Sequence, residues 1–240
     1  MPKKGEIYLI PSPIEQLQEY NLNLISNEVK NTIKNLNYFA VENIRTARRY
    51  IKKIAPEFDI NNADFVLLNK KTNEANLSDI IKNIKKGKNI GVISEAGCPG
   101  IADPGQKLCE KAHMNNIRVR PLIGASSIIL ALMASGLNGQ EFKFHGYFPI
   151  KKEERRKKIK EIAKQSGSHI FIETPYRNDH LLSDLINFLP KKEIKLCIAH
   201  DICGANENIT TKTIYDWNRL KVSIKGKPTI FIFENNKILD

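Results

Sequence analysis

The chain of 240 residues contains no long apolar run and few cysteine or aromatic residues. No stretch approaches the roughly 20 apolar residues of a membrane-spanning helix. The sequence enters a strand-like run at Glu6, which leaves no room for the apolar core of a signal peptide. We therefore expect a cytoplasmic protein that does not associate with a membrane.

The four cysteines stand at positions 98, 109, 197 and 203. None belongs to a C-x-x-C pair, and no group of histidine and cysteine has the spacing of zinc ligands. The pattern therefore indicates neither a disulfide framework nor a metal site.

Positive charge exceeds negative charge, with 38 Lys and Arg against 26 Asp and Glu, for a net charge of +12. A polyanionic partner is the functional interpretation, and nucleic acid is the commonest such partner. The alternative is a compositional bias of the surface, because Lys, Asn and Ile are frequent throughout. Charge alone does not decide between the two.

Strand-like and helix-like segments alternate through the first half of the chain. The run 89–94 is continuously apolar, like strands buried in a parallel sheet, and Asn76 is the expected N-cap of the preceding helix. This alternation predicts a parallel α/β sheet. Strands are expected at 6–10, 38–42, 64–68, 89–94 and 118–122, and helices at 26–36, 44–54, 76–87 and 104–114.

The second half of the chain places strands next to one another, which predicts a smaller mixed α/β domain. The boundary is expected near Gly124, with an N-terminal domain at 1–123 and a C-terminal domain at 124–240. Helices are expected at 126–135 and 151–164, and strands at 142–148, 168–173, 194–200, 211–215 and 229–234.

The segment Ser94–Gly105 leaves the strand 89–94 at its carboxyl end, where open α/β sheets bind ligands. Its three glycines and two prolines fix an irregular backbone that a ligand can approach closely. Asp103 followed by Pro104 predicts the N-cap and first residue of a helix. The glycine spacing is not that of a phosphate loop. The alternative is an ordinary turn between a strand and a helix.

Six motifs, in the same order, resemble those of one enzyme family. Ser94–Gly105 resembles the motif V-S-D-A-G-T-P-G-I-S-D-P-G. The others are 10–14 (like A-T-P-I-G-N-L), 42–45 (like E-D-T-R), 121–126 (like P-L-P-G-P-S), 144–156 (like F-x-G-F-x-P-x-K-x-x-x-R) and 171–177 (like F-Y-E-S-P-H-R). By these motifs the chain resembles the ribosomal RNA small subunit methyltransferase I family, which belongs to the tetrapyrrole methylase-like (class III) methyltransferases.

This resemblance implies a two-domain α/β tetrapyrrole methylase-like fold, with a mainly parallel sheet in the first domain and a mixed sheet in the second. It implies an S-adenosylmethionine-dependent methyltransferase acting on a cytidine 2′-oxygen of 16S ribosomal RNA, usually as a homodimer. The cofactor would lie in a cleft between the domains. The implied cofactor contacts are Pro13, Ser94, Glu95, Ala96, Gly97, Ile101, Ala102, Asp103, Ser126, Ser127, Pro175, Tyr176, Pro228 and Thr229.

Departures from the family pattern concentrate where a substrate would be handled. Glu15-Gln16 replaces Gly-Asn, Asn43-Ile44 replaces Asp-Thr, and Glu95 replaces Asp. The segment 67–75 lacks the family's histidines, and 200–207 lacks the Thr and Lys of the family's R-E-x-T-K-x-x-E. The cofactor side is thus preserved better than the substrate side.

Two alternative functions follow from these departures. A tetrapyrrole-type small-molecule methylase would share the fold, although the net charge of +12 argues against it. A cofactor-binding protein that has lost catalysis would account for the altered segment 200–207.

A hydroxyl acceptor usually needs a general base, which a carboxylate or a histidine can supply. A helix cap is the alternative role for Asp103, and a structural role is the alternative for His200. The candidate bases are Asp103, Asp201, His200 and Glu207.

Two helices rich in basic residues are the candidate contacts to nucleic acid. Few aromatic residues accompany their charges, so contact with phosphates is favoured over stacking on bases. A helix that is merely solvated and paired with itself is the alternative. The candidate nucleic-acid contacts are Arg45, Arg48, Arg49, Lys52, Lys151, Lys152, Arg155 and Arg156.

Overall fold

The computed structural model of the chain describes residues 4–14, 21–189 and 194–235. Glu15 and Gln16, which depart from the family pattern, lie outside the described residues. The chain divides into two compact units, unit 1 (Met1–Ser126) and unit 2 (Ser127–Asp240), close to the boundary expected near Gly124. Within the described ranges, no helix is long and apolar enough to cross a membrane.

A five-stranded sheet forms the centre of unit 1. Its strands are β1 (Ile7–Ile10), β2 (Tyr38–Val41), β3 (Asp64–Leu67), β4 (Ile90–Ile93) and β5 (Val119–Pro121). They follow the order β3-β2-β4-β1-β5, and every neighbouring pair is parallel. The apolar sequences of β2 and β4 are buried at every position, as expected for central strands covered on both faces.

Helices cover both faces of this sheet. They are α1 (Asn27–Lys34), α2 (Ile44–Ile54), α3 (Glu74–Lys85) and α4 (Gln106–Met114). Residues of α1 and α2 share one apolar cluster with Phe39 and Val41, and residues of α3 and α4 share another with Tyr38 and Ala40. Because alternate residues of a strand point to opposite faces, the two clusters lie on opposite sides of the sheet.

Unit 2 contains a second five-stranded sheet, which is mixed. Its strands are β6 (Phe142–Tyr147), β7 (Gly167–Ile172), β8 (Lys195–His200), β9 (Asn208–Thr213) and β10 (Thr229–Asn235). The order is β6-β7-β10-β8-β9, with β6 and β7 parallel and the other pairs antiparallel. The parallel first sheet and mixed second sheet confirm the predicted architecture.

The helices of unit 2 pack against its sheet and against one another. They are α5 (Ser127–Ser135), α6 (Lys152–Ile162), α7 (Asn178–Phe188) and α8 (Ile214–Arg219). The sequence analysis did not predict α7 or α8. The strand expected at 211–215 ends at Thr213, whose hydroxyl accepts from the N–H of Asp216 and caps α8 instead.

Two predicted helix starts are wrong. The N-cap of α3 is Asn73, whose side chain accepts from the N–H of Asn76 at 3.0 Å. The N-cap of α4 is Gly105, with a φ of 139°, so the helix begins two residues later than expected and Asp103 does not cap it. The side chain of Asp103 therefore does not cap α4.

Candidate active site

The loops that follow β1 and β4 are joined at the carboxyl edge of the unit 1 sheet. The N–H of Ser12 donates to the carbonyl of Gly97 at 2.8 Å, and the N–H of Gly97 donates to the carbonyl of Ser12 at 3.1 Å. The Ser12 hydroxyl also donates to the Ser94 carbonyl at 2.8 Å. The structure thus brings Pro13 beside the predicted segment Ser94–Gly97.

The loop that follows β5 lies against the same place. A Cβ atom on Gly124 would overlap the ring of Pro11, so only glycine fits this close approach. The thiol of Cys98 lies 3.5 Å from the carbonyl oxygen of Ala125, the residue before Ser126. Three loops from three adjacent strands therefore form one surface, which is the usual ligand position in an open α/β sheet.

Asp103 is a half-buried carboxylate near two others. Burial, together with the charges of Glu42 and Glu95, raises its pKa to about 6, although the Ser94 hydroxyl and Lys70 act in the opposite direction. A carboxylate whose pKa lies closer to neutrality is a better proton acceptor at physiological pH. The arrangement suits Asp103 to general-base chemistry.

Glu42 and Glu95 are themselves tied to the backbone and to α2. The N–H of Glu95 donates to Glu42 Oε2 at 3.3 Å, and the Thr46 hydroxyl donates to Glu95 Oε1. The sequence analysis did not single out Glu42, although it stands first in the segment that resembles E-D-T-R. The signal that could have identified Glu42 in the sequence is its position directly after β2.

In unit 2, the segment that resembles F-Y-E-S-P-H-R forms a braced turn. The side chain of Glu173 is 1% exposed and lies 2.5 Å from Arg177 Nη2, and it also accepts from the N–H of Thr174 at 2.6 Å. Tyr176, between them in the sequence, is 78% exposed. The ion pair, whose carboxylate is buried, fixes the turn, and the turn presents the Tyr176 ring to solvent.

The same turn is joined to the segment before β10. The N–H of Gly226 donates to the Pro175 carbonyl at 2.9 Å. Asn178 Nδ2 donates to the Lys227 carbonyl at 2.6 Å and to the Thr229 hydroxyl at 3.1 Å. Asn178 was missed by the sequence analysis, yet it connects two predicted cofactor segments.

His200 lies next to this group, since it pairs with Thr229 across β8 and β10, and the N–H of Asp201 donates to the Pro228 carbonyl at 3.0 Å. Burial and the charge of Lys227 lower the pKa of His200, and Asp201 acts in the opposite direction. His200 Nδ1 and Asn178 Oδ1 are buried without a hydrogen-bond partner within the described residues. Buried polar atoms are usually paired, so these two atoms are exceptions among the described residues of unit 2.

The carboxylates of Asp201 and Glu207 serve the loop that carries them. Asp201 Oδ2 accepts from the N–H of Asn206 at 2.8 Å, and Glu207 Oε2 accepts from the N–H of Cys203 at 2.7 Å. Asp201 and Cys203 both have positive φ angles, 53° and 65°, which such hydrogen bonds help to maintain. These two candidate bases therefore have an evident structural role, which Asp103 does not.

The predicted nucleic-acid contacts in unit 1 fall into two pairs. Arg48 donates to the Ile60 carbonyl at 3.0 Å, and Lys52 donates to the Pro56 carbonyl at 2.5 Å, so both hold the loop after α2. Arg45 and Arg49 are exposed.

In unit 2, Lys151, Lys152 and Arg156 are exposed, and two of them form ion pairs with residues of α6: Lys151 with Glu154 and Arg156 with Glu153, at 3.4 and 4.0 Å. Arg155 is different, because it is buried and pairs with Asp184. The assignment of Arg155 to nucleic-acid binding is wrong, since its guanidinium is enclosed by protein.

No group of three or more histidine, cysteine, aspartate or glutamate residues in the described part of the chain could hold a metal ion. At the carboxyl edge of its sheet, unit 1 carries small residues, which leave the backbone uncovered, and several carboxylates. These features are typical of α/β proteins that bind a nucleotide-like molecule at the carboxyl edge of the sheet.

Comparison with known proteins specifies the family. The family model of Tetrapyrrole (Corrin/Porphyrin) Methylases matches residues 20–217. The chain is 34% identical over 239 residues to the ribosomal RNA small subunit methyltransferase I of Buchnera aphidicola subsp. Schizaphis graminum, with 96% of this chain and 79% of that protein covered. It is 29% identical over 237 residues to that of Halalkalibacterium halodurans, with 98% and 78% covered.

The fold is also similar to the crystal structure of uroporphyrin-III C-methyltransferase from Thermus thermophilus complexed with S-adenosylhomocysteine. The TM-score is 0.59 at 12% identity, with 96% of this chain and 97% of that chain covered. The chain belongs to the tetrapyrrole methylase family and, within it, to the ribosomal RNA small subunit methyltransferase I family. The predicted family, fold class and enzyme class, an S-adenosylmethionine-dependent methyltransferase, are confirmed.

Proposed function

We propose that this enzyme methylates a ribose 2′-hydroxyl of small-subunit ribosomal RNA, with S-adenosylmethionine as methyl donor and Asp103 as general base. The relatives named above support the RNA substrate. The observation that carries the choice of base is the environment of Asp103, a half-buried carboxylate with a pKa of about 6 that does not cap a helix.

The carboxylates of unit 1 fit this cofactor. S-adenosylmethionine supplies an electrophilic methyl group on a positively charged sulfur, and a positive charge is stabilised beside Glu42, Glu95 and Asp103. In unit 2, the exposed Tyr176 ring fits an aromatic group such as adenine. The proposed cofactor contacts are those implied by the family motifs: Pro13, Ser94–Gly97, Ile101–Asp103, Ser126 and Ser127, Pro175, Tyr176, Pro228 and Thr229.

The proton of the acceptor hydroxyl passes to Asp103. When bound, S-adenosylmethionine would supply the methyl group to the acceptor oxygen, and the electron pair of the carbon–sulfur bond would leave with the sulfur as a neutral thioether. Asp103 must be ionised to accept the proton, and the raised pKa increases its basicity while leaving it mostly ionised at neutral pH. The loop bridge between Ser12 and Gly97 holds the surrounding backbone in one geometry, which favours alignment of the reacting atoms.

In this proposal the enzyme acts in the cytoplasm. It forms a homodimer, as the family resemblance implies. The exposed basic residues Arg45, Arg49, Lys52, Lys151, Lys152 and Arg156 contact RNA phosphates in this proposal. Arg155 is excluded from this set by its burial.

A labelled-methyl assay tests the proposal. The substrate is small ribosomal subunits from cells that lack this protein. The readout is the position of the label in the RNA after alkaline hydrolysis. Label in an alkali-resistant dinucleotide supports 2′-O-methylation, because the methylated ribose blocks cleavage. Label on a base, or transfer to uroporphyrinogen with none to subunits, overturns it. Cofactor-dependent thermal stabilisation without any transfer indicates a binding protein that has lost catalysis.

A further inference from the structure

We propose that a cavity in unit 1, the Lys70 cavity, binds the sugar–phosphate of the acceptor nucleotide, with Lys70 and Lys107 on the phosphate and Asp103 facing the hydroxyl. The inference rests on the proposed function and names the substrate subsite. The cavity has a volume of about 210 Å³ and lies between the turn 68–72 and the loop 102–108.

One wall of the Lys70 cavity is a turn fixed by its own hydrogen bonds. The N–H of Asn69 donates to the Thr72 hydroxyl at 2.8 Å, the N–H of Thr72 donates to the Asn69 carbonyl at 3.0 Å, and the N–H of Lys71 donates to Asn69 Oδ1 at 2.9 Å. A turn closed in this way holds the backbone of Lys70 in place. The same segment lacks the histidines of the family pattern.

The opposite wall is the loop that carries Asp103. The N–H of Gly100 donates to the Pro104 carbonyl at 3.2 Å, and Gly105 packs so close to Gly100 that a Cβ would lie 3.2 Å from the Gly100 nitrogen. Gly105 has a φ of 139°, which a larger residue rarely adopts. Lys107 follows at the start of α4. The loop therefore presents a carboxylate and an ammonium group to the same cavity.

The charges of the lining match a phosphodiester beside a hydroxyl. Lys70 and Lys107 are two cations with an anion, Asp103, in the same cavity, while Leu68 and Leu108 supply apolar surface. Lys70 and Asp103 both line the cavity, and the positive charge of Lys70 acts to lower the pKa of the Asp103 carboxyl. A phosphate neutralises the lysines, and the adjacent ribose hydroxyl is then within the reach of the carboxylate.

The size of the Lys70 cavity argues against a tetrapyrrole. Pockets for drug-sized ligands have volumes of about 300–1,000 Å³, and a tetrapyrrole is larger than most such ligands. The observed volume of about 210 Å³ suits a fragment such as one sugar–phosphate of a longer chain. An RNA strand provides this fragment with a negative charge on each nucleotide.

Paired lysine variants test the inference. The double variant Lys70→Ala/Lys107→Ala is compared with the wild type and with Lys71→Ala, which removes a neighbouring exposed lysine that does not line the cavity. Methyl transfer to unmethylated small subunits is measured from 50 to 200 mM salt, and cofactor affinity is measured separately. We expect KM for subunits to rise roughly tenfold in the double variant, and the salt dependence of log kcat/KM to weaken by about 1 per lysine.

The conservative variant Lys70→Arg/Lys107→Arg separates charge from structure, because it retains both cations. It is expected to keep the wild-type salt dependence. A double alanine variant that behaves like Lys71→Ala overturns the inference alone, as does one that loses cofactor affinity with KM for subunits unchanged. Absence of any methyl transfer by the wild-type enzyme overturns the proposed function, and with it this subsite.

Discussion

Arg155 Nη2 lies 2.5 Å from Asp184 Oδ2 in the interior of unit 2, where the two side chains are 10% and 7% exposed. The pair joins α6 to α7. Arg155 Nη1 also donates to the carbonyls of Pro149 at 3.1 Å and Ile150 at 2.8 Å, the residues that lead into α6. One guanidinium thus connects two helices and a loop, which explains why a residue of a basic helix is enclosed by protein.

The first prediction separates Arg155 from its neighbour Arg156. Arg155→Ala leaves Asp184 buried and unpaired, and we expect the free energy of unfolding to fall by about 3–5 kcal/mol. Arg156→Ala removes an exposed side chain that lies over the Phe188 ring, at a cost of about 1 kcal/mol or less. Urea unfolding of both variants measures the difference. Equal losses would contradict the structural role of Arg155.

RNA affinity is expected to show the opposite order for the same two variants. Arg156→Ala weakens binding to small subunits because an exposed cation is lost. Arg155→Ala, measured at a temperature where it remains folded, leaves affinity unchanged. Filter binding at low salt gives both values.

The second prediction concerns Asp103→Asn, which removes the proposed base but keeps the shape of the side chain. We expect kcat to fall by a factor between about 10² and 10⁴, the usual contribution of general-base catalysis. Because the neutral amide relieves repulsion from Glu42 and Glu95, the variant is expected to unfold no earlier than the wild type. A variant that loses activity only through earlier unfolding would contradict this role.

The third prediction is a pH profile. The reaction needs ionised Asp103, so kcat/KM falls as the pH decreases through the Asp103 pKa of about 6. Glu42→Gln removes one of the charges that raise this pKa, and its amide oxygen can still accept from the N–H of Glu95. We expect its acid limb to lie at lower pH than that of the wild type. Superimposable limbs would show that another group controls the profile.

The fourth prediction uses a histidine pair between β6 and β7. His169 Nε2 lies 3.1 Å from the Gln165 carbonyl, which can only accept, so His169 Nε2 carries a proton. The neutral His169 then accepts at Nδ1 from His145 Nε2, at 3.0 Å. Burial lowers the pKa of His145 from 6.5 to about 4, and it lowers the pKa of His169 as well.

The unfolded chain therefore binds more protons than the folded chain between about pH 6.5 and 4, and the free energy of unfolding decreases as the pH falls through this range. His145→Gln removes the titrating ring, while its amide can still donate to His169. We expect a smaller loss of stability from pH 7 to 4.5 than in the wild type or in His113→Gln, a control at an exposed histidine. Parallel curves for all three would contradict the assignment.

The sequence predicts the unit 1 sheet well because its strands are short apolar runs between clear breaks. The run 89–94 contains β4, and the strand expected at 6–10 contains β1. It predicts unit 2 less well, since α8 follows β9 directly, with Thr213 as both the last strand residue and the helix cap. No change in apolar periodicity marks such a junction.

The candidate site is predictable only in part for a similar reason. The loop Ser94–Gly105 is visible in its glycines and prolines, but the partners of Asp103 come from other strands. Glu42 and Lys70 follow β2 and β3, and only the strand order places them near the loop after β4. The start of α4 was misjudged because Asp-Pro is a common helix start, whereas Gly105 takes a φ that allows a later one.

The bridge between Ser12 and Gly97 determines which groups a ligand can recognise. Each residue gives its N–H and its carbonyl to the other, so these four polar groups are already satisfied in the free chain. A bound molecule must instead form its hydrogen bonds with neighbouring backbone groups and with side chains. Since these two hydrogen bonds already join the loops at Ser12 and Gly97, binding there orders little additional backbone at these residues, and the entropic cost of recognition is correspondingly small.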